Sequence, residues 1–136
     1  MTWHLFHPTV QFTSNDIGDH VGFVYLIENT LTGKKYIGQK KFWMPKYRSI
    51  KKKRKRFLVE SNWKDYYGSN SELQADVEAL GPSVFYREIL HLCKGKGEMN
   101  YRELKEQMNR DVLLSPHYYN SFVGGKIHRK HVQNLP

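Results

Sequence analysis

The chain's 136 residues suffice for one ordinary domain and are too few for two. One cysteine, Cys93, excludes a disulfide framework and suits a reducing compartment, and no apolar run approaches the roughly 20 residues of a membrane span. The net charge of +9 is local rather than general: Lys40 to Arg56 holds ten basic residues and no acidic one, while the remainder, 12 basic against 13 acidic, is close to neutral. Phe42, Trp43 and Tyr47 interleave with these cations, a combination suited to a nucleic acid whose phosphates shed counterions to Lys and Arg. A solvated run that only aids solubility is the plainer alternative. The first residues lack the charged-then-apolar pattern of a signal peptide, so a soluble, cytoplasmic protein with no membrane partner is expected.

In chain order, residues 1–20 have no sustained periodicity and read as an irregular arm. Gly22 to Ile27 is a strand-length apolar run, Asn29 to Gly33 is turn chemistry, and Lys35 to Gly38 resumes a strand, which together predict an antiparallel hairpin. The first strand is apolar throughout, so both of its faces should be covered. Residues 40–62 form a basic insertion in which Pro45 and the crowded charges of Lys51 to Arg56 oppose a free helix, and ordering only on DNA is expected. Ser69 or Asn70 should cap a helix through Leu73, Val77 and Leu80 that ends at Gly81. Val84 to Leu90 reads as a third strand. A second helix over about 100–113 should place Tyr101, Leu104, Met108 and Val112 on one buried face, with Pro116 barring its continuation. Residues 123–136 read as a basic tail. The order strand, strand, helix, strand, helix predicts an α+β domain over residues 21–122 with helices over a small sheet.

Val24-Tyr25-Leu26 and Tyr36-Ile37-Gly38, with their tyrosines 11 residues apart, resemble the paired motifs of the GIY-YIG nuclease superfamily. The first triad keeps only an apolar residue and the tyrosine; the second is intact. Tyr67-Gly68-Ser69 before a helix, Phe85 to Leu90, Glu103 and Glu106 on an acidic helix, and Tyr119-Asn120 follow in the family's order. The pattern spans about residues 22–120 and is most similar to small phage-encoded, homing-type, Seg-like members. The resemblance implies a small three-stranded antiparallel sheet flanked by helices. It also implies a metal-dependent endonuclease acting on double-stranded DNA with Mg²⁺ or Mn²⁺, located in the host cytoplasm if phage-encoded. The implied active form is a monomer or a homodimer.

Hydrolysis of a phosphodiester needs a deprotonated water, neutralised phosphoryl oxygens and a stabilised leaving oxygen. By resemblance, Tyr25 and Tyr36 lie side by side on paired strands, one of them acting as or orienting the general base. An ordinary phenol with a pKa near 10 is a poor base unless neighbouring lysines lower it. Tyr67 takes the second proton-handling place, with Tyr66 as its substitute, and Lys40 competes with Lys41 for a lysine role. Arg48 meets one spacing of the family's arginine, about ten residues past the Tyr-Ile-Gly triad, while Lys64 stands at the other, three residues before Tyr67, and Arg54 and Arg56 are further candidates. Glu103, or Glu106 three residues on, holds the metal, and Asn120 orients substrate or neighbouring groups. Lys41, Lys51, Lys52, Lys53, Arg54, Lys55, Arg56 and Lys64 are expected DNA contacts. Two other functions compete: a non-catalytic nucleic-acid-binding module, and a structure-selective nuclease of repair or recombination.

Overall fold

The computed structural model describes residues 2–5, 10–124 and 127–133. Two short strands come first, β1 (Trp3–Leu5) and β2 (Gln11–Phe12). The predicted hairpin follows as β3 (Gly22–Asn29) and β4 (Lys35–Lys41), and then a second hairpin, β5 (Trp43–Ile50) and β6 (Lys53–Glu60). Helix α1 (Ser71–Leu80) leads to β7 (Phe85–Cys93) and α2 (Lys96–Asn109). Strands β8 (Phe122–Val123) and β9 (Ile127–His128) and the single turn α3 (Arg129–Val132) complete it. The fold is α+β, but its sheet has five strands rather than three, in the order β2-β1-β7-β3-β4, and it is mixed because β1 runs parallel to β7. The segment expected as an irregular arm supplies the two extra strands. They are three and two residues long, too short to display a period, and burial of Trp3 and Phe12 fixes them. The Trp3 indole also donates to the Trp63 carbonyl at 2.8 Å.

β3 lies between β4 and β7, as a strand apolar at every position requires. One face carries Phe23, Tyr25 and Ile27 against Trp3, Phe12, Phe42, Trp63 and Leu73. The other carries Val24, Leu26 and Ile37 against Met99, Val112, Leu113 and Val123. Helix α1 starts where Asn70 Oδ1 accepts the Leu73 amide at 2.9 Å, and Gly81, at φ 88°, ends it. Helix α2 starts four residues earlier than expected and stops at Asn109, with Asp111 left-handed at φ 52°. Of its expected buried face, Tyr101 and Met108 lie outward, 62% and 57% exposed, with Leu104 between them, whereas Val112, past the helix end, is buried as expected. The inward side instead presents Met99, Glu103, Glu106 and Gln107, half-buried or buried.

The basic insertion is an ordered two-stranded ribbon rather than a segment awaiting DNA. β5 and β6 pair from Trp43↔Glu60 to Ile50↔Lys53. Lys51 and Lys52, both at positive φ, make the two-residue turn whose twist matches the strands. The tail also packs back: β9 pairs with β8, and the Arg129 guanidinium donates to the Leu113, Ser115 and Tyr118 carbonyls. Among the described residues no helix is long and apolar enough to cross a membrane.

Candidate active site

The register of β3 and β4 sets Tyr25 opposite Gly38 and Ile27 opposite Tyr36, so both tyrosines project from one face. A β-bulge against β7 at Val24/Tyr25 sits where such irregularities re-aim a side chain. Their rings lie 6.1 Å apart, and Tyr25 reaches across Gly38 toward the open side of β4. Only a glycine permits this: a Cβ at position 38 would sit 2.6 Å from Tyr25 Cζ and 3.0 Å from Tyr36 Cε2.

The open side is an edge that another segment covers only in part. Lys35 N donates to His117 O at 2.8 Å and Tyr119 N to Lys35 O at 2.7 Å. The Asn120 side chain then replaces a backbone peptide, accepting from Ile37 N at 3.1 Å and donating to Ile37 O at 2.8 Å. Past Ile37 no strand among the described residues pairs with this edge, and a cavity of about 220 Å³ opens, lined among others by Tyr25, Tyr36, Gln39, Ser69, Glu103, Gln107 and Asn120. Buried Asn120 thus holds the neighbouring backbone of the edge strand.

Glu103 enters this cavity from α2. Burial pushes its carboxyl above the ordinary range, against the lowering effect of the Gln39 amide at 3.1 Å and the charge of Lys96. Gln39 is a junction: its amide also donates to Asn100 Oδ1 at 2.9 Å, and its carbonyl accepts from Lys96 Nζ at 2.9 Å. Glu106 has a different environment. Burial alone would raise it, but hydrogen bonds from His91 at 2.9 Å and Arg110 at 3.0 Å hold it below the ordinary range. Its charge is spent within the helix-to-sheet contact, and Glu106 does not line the cavity.

The tyrosines are not activated by lysines. Burial pushes Tyr25, 1% exposed, far above 10, with Tyr36, Tyr66 and Glu103 adding to the rise. Burial also raises Tyr36, whose hydroxyl lies 3.2 Å from Ser69 Oγ. Both are neutral phenols at neutral pH, each with a proton available to donate. Lys40 Nζ sits 4.2 Å over the Tyr66 ring, and burial lowers its pKa.

Tyr66, not Tyr67, adjoins the pair, its ring 5.9 Å from that of Tyr25. Tyr67 turns into the fold under the Arg87 guanidinium, 4.3 Å away, with its hydroxyl buried and unpartnered. Arg48 stands on the ribbon, 5.7 Å from the Phe57 ring, and is not among the residues lining the cavity. Lys51, Lys52, Lys53, Arg54, Lys55 and Arg56 occupy the ribbon's turn and outer strand, all exposed. Lys41 lines a groove at the ribbon's root with Lys40, Trp43 and Lys96, and Lys64 pairs with Glu60 at 3.7 Å.

The sequence had given no site role to Gln39, Ser69, Lys96 or Gln107. Lys96 stands seven residues before Glu103 and Gln107 four after it, spacings that share one helix face, so the signal was available once Glu103 was chosen. Buried Arg87, which donates to Tyr66 O at 2.8 Å and so helps place that tyrosine, had no local signature.

Whether these residues suit a divalent cation is answered by their donors. Glu103 supplies one carboxylate, and Gln107, 5% exposed, has a buried Oε1 with no hydrogen-bond partner. Among the described residues no three His, Cys, Asp or Glu side chains converge on one point. A hard cation that keeps several waters and takes one or two protein oxygens fits such a set, whereas zinc does not.

A mixed sheet with two tyrosines at a glycine gap on its edge strand, and a lone carboxylate facing them from a helix, defines a GIY-YIG nuclease. A family model described as "Putative endonuclease segE, GIY-YIG domain" matches residues 3–123, and the chain belongs to that family. It is thus an endonuclease, a phosphodiester hydrolase acting on DNA. No curated protein and no solved structure was matched.

Proposed function

We propose that the chain is a metal-dependent endonuclease of double-stranded DNA, of the phage homing type, with its active site at the free edge of β4. One observation carries the reading: Glu103, held by Gln39, shares a cavity with Tyr25 and Tyr36 where the sheet edge is uncovered. Residues 3–123 act as one nuclease unit, with the basic ribbon as its DNA-holding extension.

Glu103 would hold Mg²⁺ or Mn²⁺, with the Gln107 carbonyl oxygen available beside it. Such an ion supplies charge to the phosphoryl oxygens and lowers the pKa of a bound water. Gln39 fixes the Glu103 carboxylate, and Lys96 fixes Gln39. Tyr36, anchored at Ser69, donates its phenolic proton to the attacking water or a phosphoryl oxygen and so orients rather than abstracts. Tyr25 donates alongside it through the gap at Gly38. Lys40 and Lys96 flank the site as phosphate partners, and Lys41 extends that path toward the ribbon. One such site cuts one strand at a time, so a double-strand break requires a second copy or a second encounter.

The test is incubation of purified protein with supercoiled plasmid in Mg²⁺ or in excess EDTA, with Glu103→Gln as the control. Nicked or linear product is expected only with metal and only from the parent. Undiminished cutting in EDTA would overturn the metal requirement.

A further inference from the structure

We propose that the β5–β6 ribbon enters the DNA major groove and that its two faces divide the work, one reading bases and the other gripping phosphates. This rests on the reading of the chain as a double-stranded DNA endonuclease. Eight paired residues at about 3.3 Å each make a rod of roughly 26 Å. The major groove admits a two-stranded ribbon, being about 12 Å wide and 8.5 Å deep. The ribbon is bare of carboxylates from Trp43 to Val59; its one acid, Glu60, is at the root, accepting from Trp63 and Ser14.

Alternation along paired strands sorts the side chains. One face carries Tyr47, Ser49, Arg54 and Arg56; the other carries Lys46, Arg48, Lys53 and Lys55. The first holds donors suited to base edges. The Arg54 guanidinium carbon lies over the Tyr47 ring, 4.0 Å from its centroid, a contact that restrains a group able to recognise guanine bidentately. The second sets three lysines and Arg48 among the apolar Met44, Ile50, Phe57 and Val59, and a lysine is a point charge on a flexible stem, suited to phosphates at any sequence. With the arginine face down, a groove about 8.5 Å deep leaves its phosphate rims level with the upper face, within reach of the lysine stems. The turn points the same way: Lys51 and Lys52 keep their charge at φ 51° and 63°, where Asn-Gly would be unstrained.

The experiment uses the full chain carrying Glu103→Gln, without metal, and duplexes with a randomised core. Methyl green, which occupies the major groove, should displace the protein, and netropsin, which occupies the minor groove, should not. Selection by this parent should enrich a guanine-containing sequence. The variant Ser49→Ala, Arg54→Gln, Arg56→Gln should lose that preference, by about 5- to 150-fold per guanine recognised, with an unchanged salt slope on random DNA. The variant Lys46→Gln, Arg48→Gln, Lys53→Gln, Lys55→Gln should keep the sequence, bind all duplexes more weakly, and flatten the slope by about 0.9 for each phosphate no longer neutralised. Melting temperatures report whether both variants keep the fold. Displacement by netropsin alone, a parent that binds but enriches nothing, or two variants with the same effect would each overturn the division of faces. A parent that binds no duplex overturns the nuclease reading itself.

Discussion

Gly38→Ala isolates what the missing side chain of the Tyr-Ile-Gly motif does. The added Cβ would stand 2.6 Å from Tyr25 Cζ, with the Tyr25 hydroxyl nearer still, against a comfortable carbon separation of about 3.5 Å. The Tyr25 ring must therefore withdraw by roughly 1 Å. Its retreat into the fold is blocked: it is 1% exposed, with Trp3, Phe23 and Tyr66 rings at 5.5, 5.9 and 5.9 Å. Overpacking of this kind costs about 1–3 kcal/mol, offset by about 0.4–1 kcal/mol from the less flexible unfolded chain. A displacement of about 1 Å at a reacting geometry costs on the order of 100-fold in rate. Single-turnover plasmid nicking in Mg²⁺ should thus slow by about that factor, with a lowered Tm by calorimetry. Gly97→Ala, whose new methyl meets open space, serves as the control and should cut normally. Parent-level nicking by Gly38→Ala at an unchanged Tm would refute the claim that Tyr25 acts through this gap.

Tyr36→Phe should keep the fold and lower turnover by about 100- to 10,000-fold, and Tyr25→Phe should follow less severely; wild-type rates in both would make the pair structural. Because burial holds Glu103 above its ordinary range, the folded state keeps a proton there that the unfolded state releases. Stability from that difference is present below about 4.5 and lost as pH rises through the folded value, so Glu103→Gln should melt higher than the parent at neutral pH while cutting nothing. Glu106, held low by His91 and Arg110, has the opposite sign: its contribution is present at neutral pH and lost as pH falls through its folded value. Glu106→Ala should lower the Tm at neutral pH yet retain measurable nicking, and the reverse ranking in plasmid assays would move the metal role to Glu106.

What the sequence made legible was whatever had a strong local cause. The β3–β4 hairpin follows from an apolar run, an Asn-Thr turn and a second run, and α1 from Asn70 and Gly81 at its ends. β1 and β2 were invisible because two or three residues carry no period, and their burial depends on Trp63, sixty positions away from Trp3. The ribbon was misjudged because Lys-Lys is a poor turn signal and dense positive charge reads as disorder. Tyr66 and Tyr67 are indistinguishable by spacing; only the buried Arg87, stacked at 4.3 Å on Tyr67 and bonded to the Tyr66 carbonyl, decides which one turns outward.

The misplaced face of α2 has a more instructive cause. Amphipathic periodicity assumes that the apolar side of a surface helix faces the core, and Tyr101, Leu104 and Met108 satisfy the spacing. The helix is instead turned so that Glu103, Glu106 and Gln107 lie inward and those three residues lie exposed. A purely structural helix would gain stability by turning the other way, since burial of a large apolar side chain stabilises by about 1.5–3 kcal/mol. What holds the observed orientation is Met99, fully buried under β3 and β4, together with polar groups answered by specific partners. Gln107 donates to Ile37 O at 3.2 Å, Glu106 is closed by His91 and Arg110, and Glu103 is held by Gln39. Each of those partners is fixed in turn by the sheet or the helix itself, so the rotation is set by hydrogen-bond geometry at the β4 edge rather than by hydrophobic pattern. A helix that departs from its own amphipathic rule, and sets a carboxylate with a raised pKa near one buried and one half-buried phenol, is what the proposed site would require of it.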